Sequence, residues 1–105
     1  MRENDYLPLG SVVVLKGGIQ ELMIVARGIN AQMNGETLFF DYGGVLYPDG
    51  LLGDQMAYFN NRGIDRVVFV GYDSENSKVI AENIRKYVEN TPNLKRGEPV
   101  DLNKG

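Results

Sequence analysis

The chain has 105 residues, 43% of them hydrophobic, and it contains neither cysteine nor histidine. This composition suits one globular domain and excludes disulfides, thiolate or imidazole metal sites, and catalytic groups built on Cys or His. The net charge of −3 at pH 7 disfavours nucleic acid and anionic lipid as partners. We expect a cytoplasmic protein without membrane insertion, because the longest aliphatic runs, such as residues 22–26, are far too short to cross a bilayer.

Two short apolar runs near the start of the chain predict strands. The β-branched run at residues 11–16 predicts a strand that is buried on both faces. Glycines at 17–18 suit a tight turn, and the apolar run at 22–27 predicts the return strand of a β-hairpin. A helix over residues 20–27 is the alternative, which the flanking glycines and the short length disfavour.

The middle of the chain alternates strand signals with turn signals. Residues 28–35 are polar and are expected to form a loop, after which the aromatic-rich run at 37–42 predicts a strand. Gly43 and Gly44 suggest a bulge, bend or tight turn, and Pro48-Asp49-Gly50 predicts a further turn. The apolar run at 64–71 predicts a late strand.

The apolar period changes to that of a helix after residue 72. Either Asp73 or Ser74 can accept hydrogen bonds from the free backbone N–H groups of the first turn. Pro92 ends the helix. The apolar stripe that should face the sheet consists of Ile80, Ile84, Tyr87 and Val88.

The elements together predict an α+β fold. We expect a curled antiparallel sheet of four or five short strands, followed by one C-terminal amphipathic helix and a loose tail. Residues 1–90 form the predicted single domain, in which residues 1–6 are polar and loose, and residues 91–105 form a flexible tail. Since several strands are apolar on both faces and one helix covers only part of one face, some apolar surface should remain for another chain.

Acidic residues are the remaining source of catalytic groups. Asp41, Asp49, Asp54 and Asp65 are the central acids, and a carboxylate pair among them could act as acid and base, but turn-capping or solvated roles are favoured. The paired glycines match no phosphate-binding motif, and no calcium-loop pattern occurs. We therefore predict no catalytic, cofactor-binding or metal-binding residues, and no enzyme.

Aromatic residues concentrate between positions 39 and 59. Most should lie in the core, but tyrosine combines a large apolar body with a polar tip and is suited to protein interfaces. The candidate interface residues are Tyr42, Tyr47, Tyr58 and Phe59.

Ordered sequence blocks over residues 7–72 resemble a known family of small bacterial proteins. The blocks are LPLGSVV at 7–13, KGG at 16–18, MI at 23–24, DYGG at 41–44, YPDG at 47–50, FN at 59–60, ID at 64–65, VVF at 67–69 and GY at 71–72. Together they resemble the bacterial "domain of unknown function 4176" family. The resemblance carries over no catalytic residue.

This resemblance implies a role at type VII secretion loci that encode LXG-type toxins. The protein would then be a non-enzymatic adaptor or chaperone that binds such a toxin, or its export region, before export. An immunity protein that neutralises a cognate toxin is one alternative, and a small ligand-binding or enzymatic domain around Asp41 and Asp65 is another. Self-association of the chain stays open.

Overall fold

The computed structural model describes residues 5–98, which form an open five-stranded antiparallel sheet and one α-helix. The predicted α+β fold is therefore confirmed. The strands have the spatial order β4-β3-β2-β1-β5, and a 3₁₀ turn at Asn61–Gly63 precedes β5. The elements are β1 (Val12–Leu15), β2 (Glu21–Met33), β3 (Glu36–Leu46), β4 (Ala57–Phe59), β5 (Ile64–Phe69) and α1 (Glu75–Glu89).

The predicted first hairpin is confirmed. In the antiparallel β1–β2 pair, Val12 lies opposite Met23 and Val13 opposite Leu22. Gly17 has a φ of +80°, a conformation that glycine adopts without steric cost. All three valines of β1 are buried, as expected for a strand with two covered faces.

The predicted loop over residues 28–35 is wrong, because β2 and β3 form one long hairpin. The connection is only Asn34 and Gly35, whose φ angles of 53° and 81° are those of a tight turn with two left-handed residues. Polar residues fill this end of the hairpin because it is largely exposed to solvent. The apolar alternation that marks a half-buried strand is therefore weak there.

The glycine pair at 43–44 does not interrupt β3, which continues to Leu46. The irregularity lies on the neighbouring strand, where the register shifts at Val25 between the pairs Ile24–Gly44 and Ala26–Gly43. A side chain at Gly43 would overlap Met56, and one at Gly44 would lie 3.0 Å from the Phe59 ring. These glycines therefore allow close packing within a continuous strand.

Helix α1 packs on the sheet through its half-buried side. Of the two caps predicted from the sequence, Ser74 is the N-cap. Its side chain accepts a 3.1 Å hydrogen bond from Ser77 N. Ile84 and Ala81 pack against the main core cluster. Ile80, a member of the predicted apolar stripe, is instead 51% exposed.

Both ends of the described chain pack on the sheet. Tyr6 and Leu7 are buried, although Tyr6 belongs to the start predicted to be loose, of which residues 1–4 lie outside the described residues. Residues 95–97 lie beside β3, with Phe39 N donating to Lys95 O at 2.8 Å and Gly97 N donating to Phe39 O at 3.0 Å. Residues 95–97 of the predicted tail are thus hydrogen-bonded to the sheet, and its residues 99–105 lie outside the described residues.

Candidate functional site

Asp41 is a buried carboxylate at the centre of a polar network. It is 4% exposed, and its two oxygens accept hydrogen bonds from Tyr6 Oη at 2.9 Å, Arg96 Nη1 at 2.8 Å and Asn61 N at 2.9 Å. Burial alone would lower the pKa of Arg96, but the hydrogen bond and charge of Asp41 raise it. The network therefore joins the start of the described chain, the turn before β5 and the segment at 95–97.

Tyr42 extends this network into the core. Its hydroxyl accepts a 2.9 Å hydrogen bond from Leu7 N and donates at 2.6 Å to Asn61 Oδ1. Burial raises the pKa of Tyr42 to about 12, and burial with the charge of Asp41 raises the pKa of Tyr6 as well. Both tyrosines are thus held in their neutral forms as structural donors and acceptors.

The two acids of the catalytic alternative are not brought together as a pair of free carboxylates. Asp41 lies on β3 with its oxygens committed to hydrogen bonds, whereas Asp65 is exposed on β5. In the sheet order, β2 and β1 separate the two strands. Within residues 5–98 there is also no group of three or more acidic residues placed to hold a metal ion.

The four aromatic interface candidates divide by burial. Tyr42 and Phe59 have 0% exposure and stack at a ring-centroid distance of 5.4 Å, so in this fold they contact the core and offer no surface to a partner. Tyr58 is half-buried and packs on Phe40 at 5.4 Å. Tyr47 is 44% exposed and is the candidate with the most available surface.

The largest continuous run of exposed apolar side chains lies instead at the edge strand β5. Val67, Val68, Phe69 and Val70 are between 39% and 60% exposed. On its inner side β5 pairs with β1, and no other strand of residues 5–98 pairs with its outer side. An apolar strand edge left open in this way is a template for pairing with another polypeptide.

An apolar groove lies on the helix side of the sheet, between β2, the loop after β5 and the first turn of α1. It is open to solvent and has a volume of about 690 Å³. Its exposed apolar walls are Leu9, Val25, Tyr72 and Ile80. The loop with Tyr72 reaches this position because Gly71 passes close to the backbone at Leu9–Ser11, donating its N–H to Ser11 Oγ at 2.9 Å.

At the other end of the strand order, the three-residue strand β4 is the edge strand and the outer side of β3 is covered. There β4 pairs with residues 42–44, the Asn60 side chain accepts from Asp41 N at 2.9 Å, and residues 95–97 bond to Phe39. The chain thus covers β3 from Phe39 to Gly44 with two segments, residues 57–60 and 95–97. The contrast with β5 makes β5 and its apolar surroundings the candidate binding surface.

The part of the chain that forms the sheet matches a known protein family. The model for DUF4176, a domain of unknown function, matches residues 6–80. The chain belongs to the DUF4176 family. The match spans all five strands and the first turn of α1, so the open β5 edge of this DUF4176 protein lies inside the family region and residues 95–97 lie beyond it.

No curated protein and no solved structure matches this DUF4176 chain. Within the described range 5–98, no helix is both long enough and apolar enough to cross a membrane.

The exposed apolar surface at β5 is absent from the interface candidates chosen from the sequence. Its signal in the sequence is the run VVFV at 67–70, which is apolar on both faces. Its exposure depends on β5 lying at the sheet edge, and the strand order is not contained in the local pattern.

Proposed function

We propose that this protein is a non-enzymatic adaptor or chaperone that binds a type VII-secreted LXG-type toxin in the cytoplasm before export. The observation that carries the binding role is the open, apolar edge of β5. The identity of the partner follows from what the family resemblance implies.

The binding role is supported by the physical cost of leaving such an edge exposed. Soluble proteins commonly protect edge strands by shortening, charge or coverage, because free backbone groups beside apolar side chains promote unwanted association. Here the edge from Val67 to Val70 carries no charge. Exposed apolar surface retained in this form is typical of a protein interaction site.

A catalytic role has less support from the geometry. Asp41 and Asp65, the acids named for it, are divided between β3 and β5. The buried acid Asp41 makes hydrogen bonds that hold the fold together. In the groove between β2 and α1, Arg27 donates to Ser77 and Ser74 caps the helix, so these polar groups serve the fold.

Co-expression with separate regions of the neighbouring LXG-type toxin tests the proposal. We expect the full-length protein to co-purify with the N-terminal export region and not with the C-terminal toxic region. Binding to the toxic region alone, with protection of cells from toxin made in the cytoplasm, would replace the adaptor role with immunity. Absence of a complex with either region would overturn the proposal.

A further inference from the structure

We propose that the partner binds as an extended strand that pairs with the free edge of β5. This inference rests on the proposed function and deepens it, because it names the conformation and the residue pattern of the bound segment. The occupant is a segment of another protein rather than a second copy of this chain.

The backbone of β5 offers hydrogen-bonding groups to an added strand. Antiparallel pairing with β1 uses the inner hydrogen-bonding side of β5, so the backbone groups on its outer side have no strand partner among residues 5–98. On β3 the outward groups of Phe39 are covered by two hydrogen bonds with residues 95–97. An added strand would satisfy the outward groups of β5 in the same manner.

The exposed side chains of β5 offer apolar contacts to the same added strand. Val67 lies opposite Val13 and Phe69 opposite Val12, so these two exposed side chains extend opposite faces of the sheet. Val13 belongs to the core cluster against which Ile84 of α1 packs, which places Val67 on the helix side. A pairing strand with alternating apolar residues would therefore bury apolar surface on both faces.

The charges of Asp65 and Arg66 define which partner strand pairs best with β5. Asp65 and Arg66 are exposed immediately before the apolar run. A matching segment carries a basic residue near Asp65, an acidic residue near Arg66 and apolar residues along Val67–Val70. Opposite charges across a strand pair stabilise the pairing, and like charges oppose it.

A second copy of the chain cannot meet both requirements in an antiparallel pair. The register that places Asp65 against Arg66 of the copy brings Val68–Val70 against the 3₁₀ turn at Asn61–Gly63, where no strand exists. The register that centres the apolar run pairs Val67 with Val70 and places Asp65 against Tyr72, so the charge of Asp65 meets no opposite charge. Charge complementarity and apolar contact are therefore satisfied together only by a different sequence.

Two irregularities in β5 also favour a flexible partner over a preformed identical edge. The register against β1 shifts at Asp65 and at Val68, so the strand carries two bulges within six residues. Bulges increase local twist and hinder the docking of one rigid edge on another. A segment that is unfolded before binding can adapt its backbone to this shape.

Disulfide mapping tests the strand geometry directly, since the chain contains no cysteine of its own. Full-length V68C protein would be mixed with a cysteine-free toxin export region into which single cysteines are introduced one position at a time. We expect crosslinks at alternate partner positions, because successive residues of a strand point to opposite faces. The control is I19C, whose parent side chain is 95% exposed in the turn between β1 and β2 and should give no such pattern.

Affinity and amide exchange provide independent readouts. V68K should weaken binding by at least about tenfold. The matched control V79K, at a valine of α1 that is 56% exposed against 46% for Val68, should leave binding nearly unchanged. In the wild-type complex, amides of residues 65–70 should gain protection from hydrogen exchange, a result that needs no variant to fold.

The outcomes separate this inference from the proposed function. A complex in which residues 65–70 gain no protection and V68C crosslinks every third or fourth partner position would overturn strand pairing and leave the adaptor role standing. A dimer of the free chain that V68K dissociates would overturn the choice of occupant. Absence of any complex with the toxin would overturn both proposals.

Discussion

Asp41 shows how one residue organises distant parts of the chain. Its carboxylate receives hydrogen bonds from Tyr6, Asn61 and Arg96, which come from the start of the described range, the 3₁₀ turn and the segment after α1. A buried carboxylate is costly unless it is paired and hydrogen-bonded. The network therefore ties both ends of the described range to a single core acid.

Removal of Arg96 should be far more costly than removal of its neighbour. R96A leaves Asp41 buried without its cation, and because the Arg96 side chain is 37% exposed we expect a loss of about 2 kcal/mol in the free energy of unfolding, below the value for fully buried pairs. K95A removes the exposed pair of Lys95 with Glu36 and should cost less than about 0.5 kcal/mol. Urea denaturation of both variants measures the difference, and equal losses would contradict a structural role for the Asp41 pair.

The buried phenols predict a loss of stability at alkaline pH. The pKa of Tyr42 rises from 10.0 to about 12 on folding, so the folded state retains a proton that the unfolded state releases above pH 10. This contribution is complete below pH 10 and is lost as pH rises towards 12, with a slope of about 1.4 kcal/mol per pH unit for the group. Tyr6 acts in the same direction.

Denaturation curves between pH 8 and pH 12 test this dependence. Y42F should be less stable at neutral pH, because it loses the hydrogen bonds to Leu7 and Asn61, but its stability should fall less steeply above pH 10. Y47F is the control, since Tyr47 is 44% exposed and its replacement should leave the slope unchanged. An identical slope in Y42F and wild type would contradict the burial effect.

At the scale of elements, Gly28 determines how closely α1 approaches β2. Its φ is +58°, and a side chain there would place Cβ 2.7 Å from Ile84 Cγ2. G28A therefore adds a steric clash to backbone strain, and we expect a loss of about 2 to 3 kcal/mol. G35A carries a similar φ of +81° with no neighbour within 4 Å, so it should lose only about 1 kcal/mol.

Thermal unfolding of the two alanine variants separates strain from clash. Equal losses would show that contact with Ile84 does not limit the position of the helix. Amide exchange in α1 provides a second measurement, because weakened docking should raise exchange in the helix of G28A and not of G35A.

Local patterns predicted some elements and failed at others for identifiable reasons. The β1–β2 hairpin, β5 and α1 follow from short apolar runs, a glycine turn and the helical spacing of apolar residues. The distal part of the β2–β3 hairpin was predicted as a loop because its residues are polar. The Asn34-Gly35 pair is nevertheless a strong hairpin signal. The order in residues 95–97 arises from Arg96 meeting a carboxylate that is 55 positions earlier in the chain, which no local pattern contains.

The strand order limits sequence reasoning at the scale of the whole molecule. β5 follows β4 in the chain, yet it pairs with β1 at the far side of the sheet. This pairing turns the apolar run at 67–70 into an exposed edge, whereas the aromatic candidates Tyr42 and Phe59 pair across β3 and β4 and lie in the core. An interface chosen by residue type alone therefore favoured residues that the topology buries.

The covered outer side of β3 and the open edge of β5 predict different consequences for association. At β3, Gly97 lies so close to Phe40 that a side chain there would overlap the buried aromatic ring. G97A should displace the segment at 95–97 and release the hydrogen bonds of Phe39, which creates a second open edge. We expect faster amide exchange at Phe39 and soluble oligomers in size-exclusion chromatography.

A matched glycine distinguishes this effect from general destabilisation. G18A has an ordinary backbone angle and 3.7 Å to Leu15 O, so it should behave as wild type in both measurements. If G97A unfolded at lower temperature yet stayed monomeric, coverage of the β3 edge would contribute to stability without preventing association. Oligomers of G97A that V68K leaves intact would place the new contact at β3, because V68K alters only the β5 edge. In that case the oligomers would form through β3, and the open edge of β5 would not mediate them.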